Sequence, residues 1–292
     1  MRDIERWTIG ATTLTPIVEA ETPRVPTQLF YPDAVGADVT AANDWLVAGA
    51  AEPDGGGITF RVQAFVIEHG GQTILVDPCV GNDKHLGMPF WNQLDLPWLD
   101  DLRGAGYAPE DIDLVVHTHL HEDHIGWDTH LVDGEWVPTF ANARHIYVGE
   151  ELEWASTDAR GRDPEPFPES IEPILQAGLA DEVAANAELA PGLTLLPTPG
   201  HTPGHSSLVI TTGAELLVVT GDLLHHPFQF ASPDVAEVGD IDADQARRTR
   251  KDFFSEFCRD DVIIAGTHFP VAPVGRIGAA DAGWRFDAVA PG

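Results

Sequence analysis

The sequence predicts an α/β protein in which two mixed sheets pack together with helices outside. Three observations carry this reading. Strand-like apolar runs and amphipathic helical runs arrive in two successive sets, and each strand run ends in polar residues. A hydrophobic fraction of 43% over 292 residues supplies a sizeable core. The grouping in two sets speaks against one doubly wound sheet.

In order along the chain, residues 31–57 form an irregular, Gly- and Asp-containing loop. The run "ITFRVQAFVIEHGGQTILVD" then reads as two strands joined by a turn at Gly70-Gly71. Residues 94–105 carry helical spacing and stop at Gly106, and "DIDLVV" is a short strand that leads into a histidine run. "PESIEPILQAGL" reads as a helix with Gly178 near its end. "LTLLPTPG", "HSSLVITT" and "ELLVVTGD" read as three strands with turns between them. Residues 242–258 form a charged amphipathic helix, and "DVIIAGTHF" is a last strand ending at His268. One domain over residues 1–292 is the expected organisation, since no long linker or repeat interrupts the chain.

The formal charge of -31 repels phosphates and anionic lipid, which disfavours nucleic acid and membrane partners. Asp and Glu are spread along the chain, a pattern that suits an acidic, well-hydrated surface, though an Arg-favouring genome explains part of it. Cys79 and Cys258 lie in apolar contexts and read as two buried thiols. With neither an export signal nor a long apolar run, the expected location is the cytoplasm.

Residues 117–127, "HTHLHEDHIGW", crowd His117, His119, His121, Asp123 and His124 together. In an extended segment His119, His121 and Asp123 would line one side, with His124 turning in beside them. Imidazoles and a carboxylate suit zinc or another borderline divalent ion. Further donors come from three strand ends: His201 in "TPGHTPGH", Asp222 in "VVTGDLL" and His268 in "IIAGTHFP". Each alone is ordinary, as a surface histidine or a turn aspartate. Together they read as a metal site, and the run does not match the HExxH zinc signature.

"HLHEDH", "PGHTPGH", "TGDLL" and "GTHF", in this order, resemble the metallo-β-lactamase superfamily from about Phe60 to the end of the chain. The resemblance implies an αββα sandwich with two divalent metal ions at one edge of its sheets. By the same resemblance one ion is held by His119, His121 and His201, the other by Asp123, His124 and His268, and Asp222 bridges them. Zinc is the first expectation, and Mn, Fe or Co fit the same ligands. "GDLLHHPFQFASP", the charged helix and "THFPVAPVGRIGAADAGWRFDAV" further resemble the branch holding N-acyl homoserine lactonases and methyl parathion hydrolase.

The implied activity is hydrolysis of a small lactone or aryl ester by a hydroxide shared between two ions, with phosphotriesters as a side activity. Asp123 would orient the hydroxide. His225, where the lactonases place a substrate-facing tyrosine, would contact the carbonyl or leaving oxygen, with His226 as the other choice. Asp77 and His205 are expected to support the metal ligands from behind, and Phe228 and Phe230 to line a substrate pocket, against their ordinary reading as core. A homodimer is the default assembly. Two other enzyme readings, a thioesterase resembling glyoxalase II and an iron site as in flavodiiron proteins, fit less well. The first lacks a basic C-terminal cluster; the second needs an acidic ligand where His121 stands and a flavin domain. A metal-binding protein without turnover is the reading from another class.

Overall fold

The computed structural model describes residues 4–157, 167–281 and 283–292. Two seven-stranded sheets and a two-stranded ribbon account for its strands. The first sheet comprises β1 (Trp7–Ile9), β2 (Thr12–Pro26), β3 (Gly57–His69), β4 (Gln72–Val76), β5 (Leu114–Val116), β8 (Arg144–Val148) and β9 (Ala180–Val183), hydrogen-bonded in that order. The ribbon pairs β6 (Thr129–Val132) with β7 (Glu135–Pro138). The second sheet follows chain order through β10 (Glu188–Ala190), β11 (Leu193–Pro197), β12 (Ser206–Thr211), β13 (Leu216–Val219), β14 (Val262–Ala265), β15 (Val274–Ala280) and β16 (Gly283–Ala288). Both sheets are mixed: β4, β5, β8 and β9 pair in parallel, and so do β13 and β14, among antiparallel neighbours.

The chain divides into two compact units, Met1–Glu19 with Val62–Ala184 and Ala20–Arg61 with Ala185–Gly292. In the first, Ile74, Leu75 and Val76 of β4 and the whole of β5 are apolar and buried, as strands covered on both faces must be. Val76 pairs with Val116, so Asp77 and His117 leave adjacent strands at the same carboxyl edge. Such an edge is where open α/β sheets carry their ligands. Leu120, Ile125, Tyr147, Ile171 and Ile174 form a buried cluster beneath the histidine run.

In the second unit β13 and β14 lie parallel, with Val219 opposite Ala265, and β11 points the same way through the antiparallel β12. His201, Asp222 and His268 each follow the carboxyl end of one of these three strands, so one sheet edge carries all three. The helix Ala243–Phe257 begins at Asp242, whose side chain accepts from Gln245 N. It buries Ala246, Arg250, Phe253, Phe254 and Phe257, a stripe at helical spacing, against a core that includes Leu224, Phe230, Ile264 and Phe286. Gly200, with φ of +135°, packs where a Cβ would stand 2.3 Å from Ala246 N, which seats the His201 loop on the start of this helix.

Some segments differ from expectation. Residues 31–57 contain the short helix Gly36–Thr40 and a buried Val39 and Ala50. Asp123 does not continue an extended run, and His124 turns together with it. They sit in the helical turn Glu122–Ile125, because Gly126 N and Trp127 N bond to Cys79 O and Pro78 O and draw the chain into a turn there. Cys79 is buried, Cys258 half-buried, and both are free thiols. No helix among the described residues is long and apolar enough to cross a membrane.

Lys84 is buried in the first unit, with Nζ donating to Thr129 Oγ1 at 2.6 Å and to Glu169 O at 3.1 Å, 3.7 Å from the centre of the Trp136 ring. Burial pushes its amine down to about 7, against the pull of Glu169 and Asp128. Between that value and the ordinary 10.5 the folded chain binds fewer protons than the unfolded one, so this group adds stability as pH rises through the window. Lys84→Met should flatten that rise in urea denaturation series run at about pH 7 and 9.5. An unchanged slope would show that Lys84 keeps an ordinary pKa.

Candidate metal centre

In the first unit Asp77 starts the arrangement. Its backbone is in the left-handed region, with φ of 52°, and its carboxylate accepts from Thr118 N and Thr118 Oγ1, both at 2.8 Å; His124 Nδ1 lies 3.1 Å from Asp77 Oδ2. Thr118 Oγ1 spends its hydrogen on Asp77, so at 3.1 Å it accepts from His119 Nδ1. A neutral His119 therefore carries its proton on Nδ1 and presents a bare Nε2 lone pair. His119 Nε2 faces His121 Nδ1 at 3.1 Å, the His119 and His124 rings lie 4.1 Å apart, and Asp123 Oδ1 is 3.6 Å from His124 Nε2. All four side chains are buried.

In the second unit the carboxylate of Asp222 collects three imidazoles. His201 Nε2 stands 3.3 Å and His225 Nε2 3.0 Å from Oδ2, and His268 Nε2 3.2 Å from Oδ1. His268 Nδ1 donates to Arg61 O at 2.7 Å, and His201 Nδ1 meets Asp240 Oδ1 at 3.1 Å. In their neutral forms both rings thus aim Nε2 lone pairs at carboxylate oxygens. Acceptor facing acceptor at this range requires a cation between them, either a proton or a metal ion. Burial opposes a charged His201, but Asp222 and Asp240 outweigh it and push its pKa up to about 10. Asp222, His225 and His268 each offer a ligand atom within 4.8 Å of the others, as do His201, His225 and Glu237. The donor chemistry of each unit fits a divalent ion.

The remaining expected residues take distinct places. His205 accepts from Asp222 N at 2.9 Å through Nε2 and bonds Thr198 through Nδ1, so it holds the backbone of Asp222. His225 is buried beside Asp222, and its Nδ1 has no hydrogen-bond partner among the described residues. His226 uses both ring nitrogens internally, Nε2 donating to Ala50 O at 3.0 Å and Nδ1 accepting from Phe228 N at 3.2 Å, and burial pushes its pKa down to about 4. Phe228 meets the Tyr31 ring edge-on at 4.8 Å, and Phe230 packs against Phe254, Phe269 and Phe286. His117 lies under the run, stacked on Tyr147, with Asp128 taking His117 Nε2, His145 Nδ1 and the Tyr147 hydroxyl.

Sequence reasoning missed Asp240, Glu237, Asp128 and Glu19. Glu237 Oε2 lies 3.8 Å from His225 Nε2. Glu19 accepts from Val80 N, Gly81 N and Trp127 Nε1. Spread acids of this kind look the same in sequence as surface or turn acids, and only the fold separates them.

The model of the metallo-beta-lactamase superfamily matches residues 57–279. The chain belongs to that superfamily. Its two mixed sheets with helices are the fold of the family. An N-acyl homoserine lactonase of Bacillus sp is 32% identical over 135 residues, covering 45% of this chain and 47% of the relative. N-acyl homoserine lactonase AttM of Rhizobium radiobacter is 30% identical over 166 residues, covering 51% and 59%. The chain spans about half the length of the curated relatives it matches. Among solved structures, the hydrolase AbOPH of the beta lactamase superfamily shares the fold with a TM-score of 0.81 at 24% identity, covering 99% of this chain and 98% of that one. AidC, a dizinc quorum-quenching lactonase, does so with a TM-score of 0.78 at 22% identity, covering 98% and 97%.

Proposed function

We propose that this chain is a metal-dependent hydrolase that opens small lactones. The observation that carries the reading is the carboxylate of Asp222, toward which His201 and His268 turn Nε2 while spending Nδ1 on other acceptors. In this proposal His119, His121 and His201 serve one divalent ion, Asp123, His124 and His268 a second, and Asp222 both. Zinc is the first choice, supported by the dizinc neighbour. Bound ions of this kind lower the pKa of water toward about 7 and polarise an ester carbonyl.

The chain's own residues prepare for that chemistry. Asp77 and Thr118 hold His119 in one tautomer, so its Nε2 would meet a cation without a proton to shed, and the charge of Asp77 stands 3.1 Å from His124 Nδ1. His205 fixes the backbone of Asp222. His226 is occupied on both nitrogens, which favours His225 as the residue that contacts substrate oxygen. The lactone preference rests on the similarity to N-acyl homoserine lactonases; aryl esters and phosphotriesters are the further substrates to try.

The test is elemental analysis of protein purified without chelator, with hydrolysis of a simple lactone followed before and after metal removal. About two equivalents of metal, loss of turnover on chelation and recovery on adding zinc are expected. Protein that takes up no metal on reloading would overturn the reading. Two bound equivalents without lactone turnover would keep the metal site and remove the substrate assignment.

A further inference from the structure

We propose that Asp240 and Arg250 are positioning residues that set how tightly His201 holds a metal ion. The inference rests on the reading above, in which His201 is a ligand, and adds the side chains that aim it.

Asp240 and the residues after it grip His201 at three points. Its Oδ1 stands 3.1 Å from His201 Nδ1, Ile241 N bonds to His201 O at 2.9 Å, and Asp242 N bonds to Gly200 O at 2.9 Å. The ring, its own carbonyl and the preceding residue are therefore all fixed by one short segment. A carboxylate that takes the far N–H of an imidazole fixes tautomer and ring orientation and makes Nε2 more basic, which strengthens a metal bond.

Asp240 is itself held. Its Oδ2 accepts from Glu237 N at 3.1 Å and lies 3.7 Å from Arg250 Nη2. Arg250 is fully buried on a helix face otherwise lined by Ala246, Phe253, Phe254 and Phe257. A buried guanidinium there is costly unless its donors are used. Nε donates to Leu223 O at 3.0 Å, and Nη1 to Pro233 O and Val235 O, both at 2.9 Å. Leu223 directly follows Asp222. One rigid fork thus ties the turn bearing Asp222 to the segment that leads to Asp240, and places its remaining nitrogen toward the carboxylate that orients His201. The short, flexible point charge of a lysine could not span these carbonyls together.

A merely structural staple would affect folding and leave metal affinity alone, so the test separates the two. Zinc affinity is measured by competition with a chromophoric chelator for wild type, Asp240→Asn, Arg250→Lys and, as a control, Asp242→Ala, which removes only the side chain that caps the helix. Thermal midpoints of the metal-free forms and absorption spectra of the cobalt forms accompany each measurement. Asp240→Asn should lose about 10- to 100-fold in zinc affinity and alter the cobalt spectrum, while its metal-free midpoint stays close to wild type. Arg250→Lys should shift affinity the same way by a smaller factor, and keeps the question decidable if Asp240→Asn does not fold. Asp242→Ala should lower the midpoint and leave affinity unchanged. Wild-type affinity and an unaltered cobalt spectrum in Asp240→Asn or, failing that, in Arg250→Lys would overturn the proposal. A wild-type protein that binds no zinc at all is a different result, because it removes His201 as a ligand and the metal reading with it.

Discussion

Asp222→Ala is expected to abolish most lactone opening and to lower the zinc content of the purified protein. Under the proposed assignment of Asp222 as a metal ligand, the loss should exceed the roughly 10- to 100-fold that removal of an outer hydrogen-bond partner costs. Three imidazoles converge on this carboxylate at 3.0 to 3.3 Å, and the side chain is buried among them. Its backbone is held separately, by His205 Nε2 accepting from Asp222 N. The turn should therefore survive loss of the side chain, which makes the variant a test of chemistry rather than of folding. Elemental analysis with kcat and KM for one lactone reads the outcome. Unchanged metal content and rate would mean that Asp222 serves only as the partner of His201, His225 and His268.

What made Asp222 legible in the sequence also made His268 legible. β13 and β14 are buried along nearly their whole length, so they are written as unbroken apolar runs, and the first polar residues after them stand out as the sheet edge. The same logic found β3, β4, β5, β11 and β12. It does not extend to β2, a long strand interrupted in sequence by Pro16, Pro23 and Pro26. Short pieces such as β6, β7 and β9 carry too few residues to set a period.

The supporting residues of the site were legible only in part. Asp77 follows an apolar run and could be singled out, whereas Asp240 stands in "VGDIDAD", where any of three aspartates could cap a helix or close a turn. Arg250 did leave a trace. Its spacing from Ala246, Phe253, Phe254 and Phe257 puts it on the apolar face of its helix, so a count of helical positions would have marked it as a buried cation. The sequence points to an extended Asp123 because four residues of helix are too few to show a period. Backbone bonds from Gly126 and Trp127 to residues 78–79, distant in sequence, fix that turn.

Gly126→Ala should be among the most destabilising single-methyl additions in the chain, costing on the order of 4 kcal/mol. The reason is space and not backbone freedom, since Gly126 has ordinary helical angles, φ of -62° and ψ of -48°. A Cβ there would stand 1.6 Å from Val80 O and 1.9 Å from its carbon, inside the covalent envelope of a neighbouring backbone. That backbone has little freedom to retreat. The buried carboxylate of Glu19 accepts from Val80 N at 2.9 Å and Gly81 N at 3.0 Å, and on the other side from Trp127 Nε1 at 2.7 Å, so it holds both segments together. Relief must come from shifting Gly126, and with it the turn that carries Asp123 and His124. Reduced zinc binding should therefore accompany the loss of stability in urea denaturation. Gly87→Ala is the control, since a Cβ at Gly87 would have nothing within 4 Å; its effect should stay within about 0.5 kcal/mol. If Gly126→Ala proves equally mild, the contact between residues 80 and 126 yields easily, and Glu19 does not clamp the turn that carries Asp123 and His124.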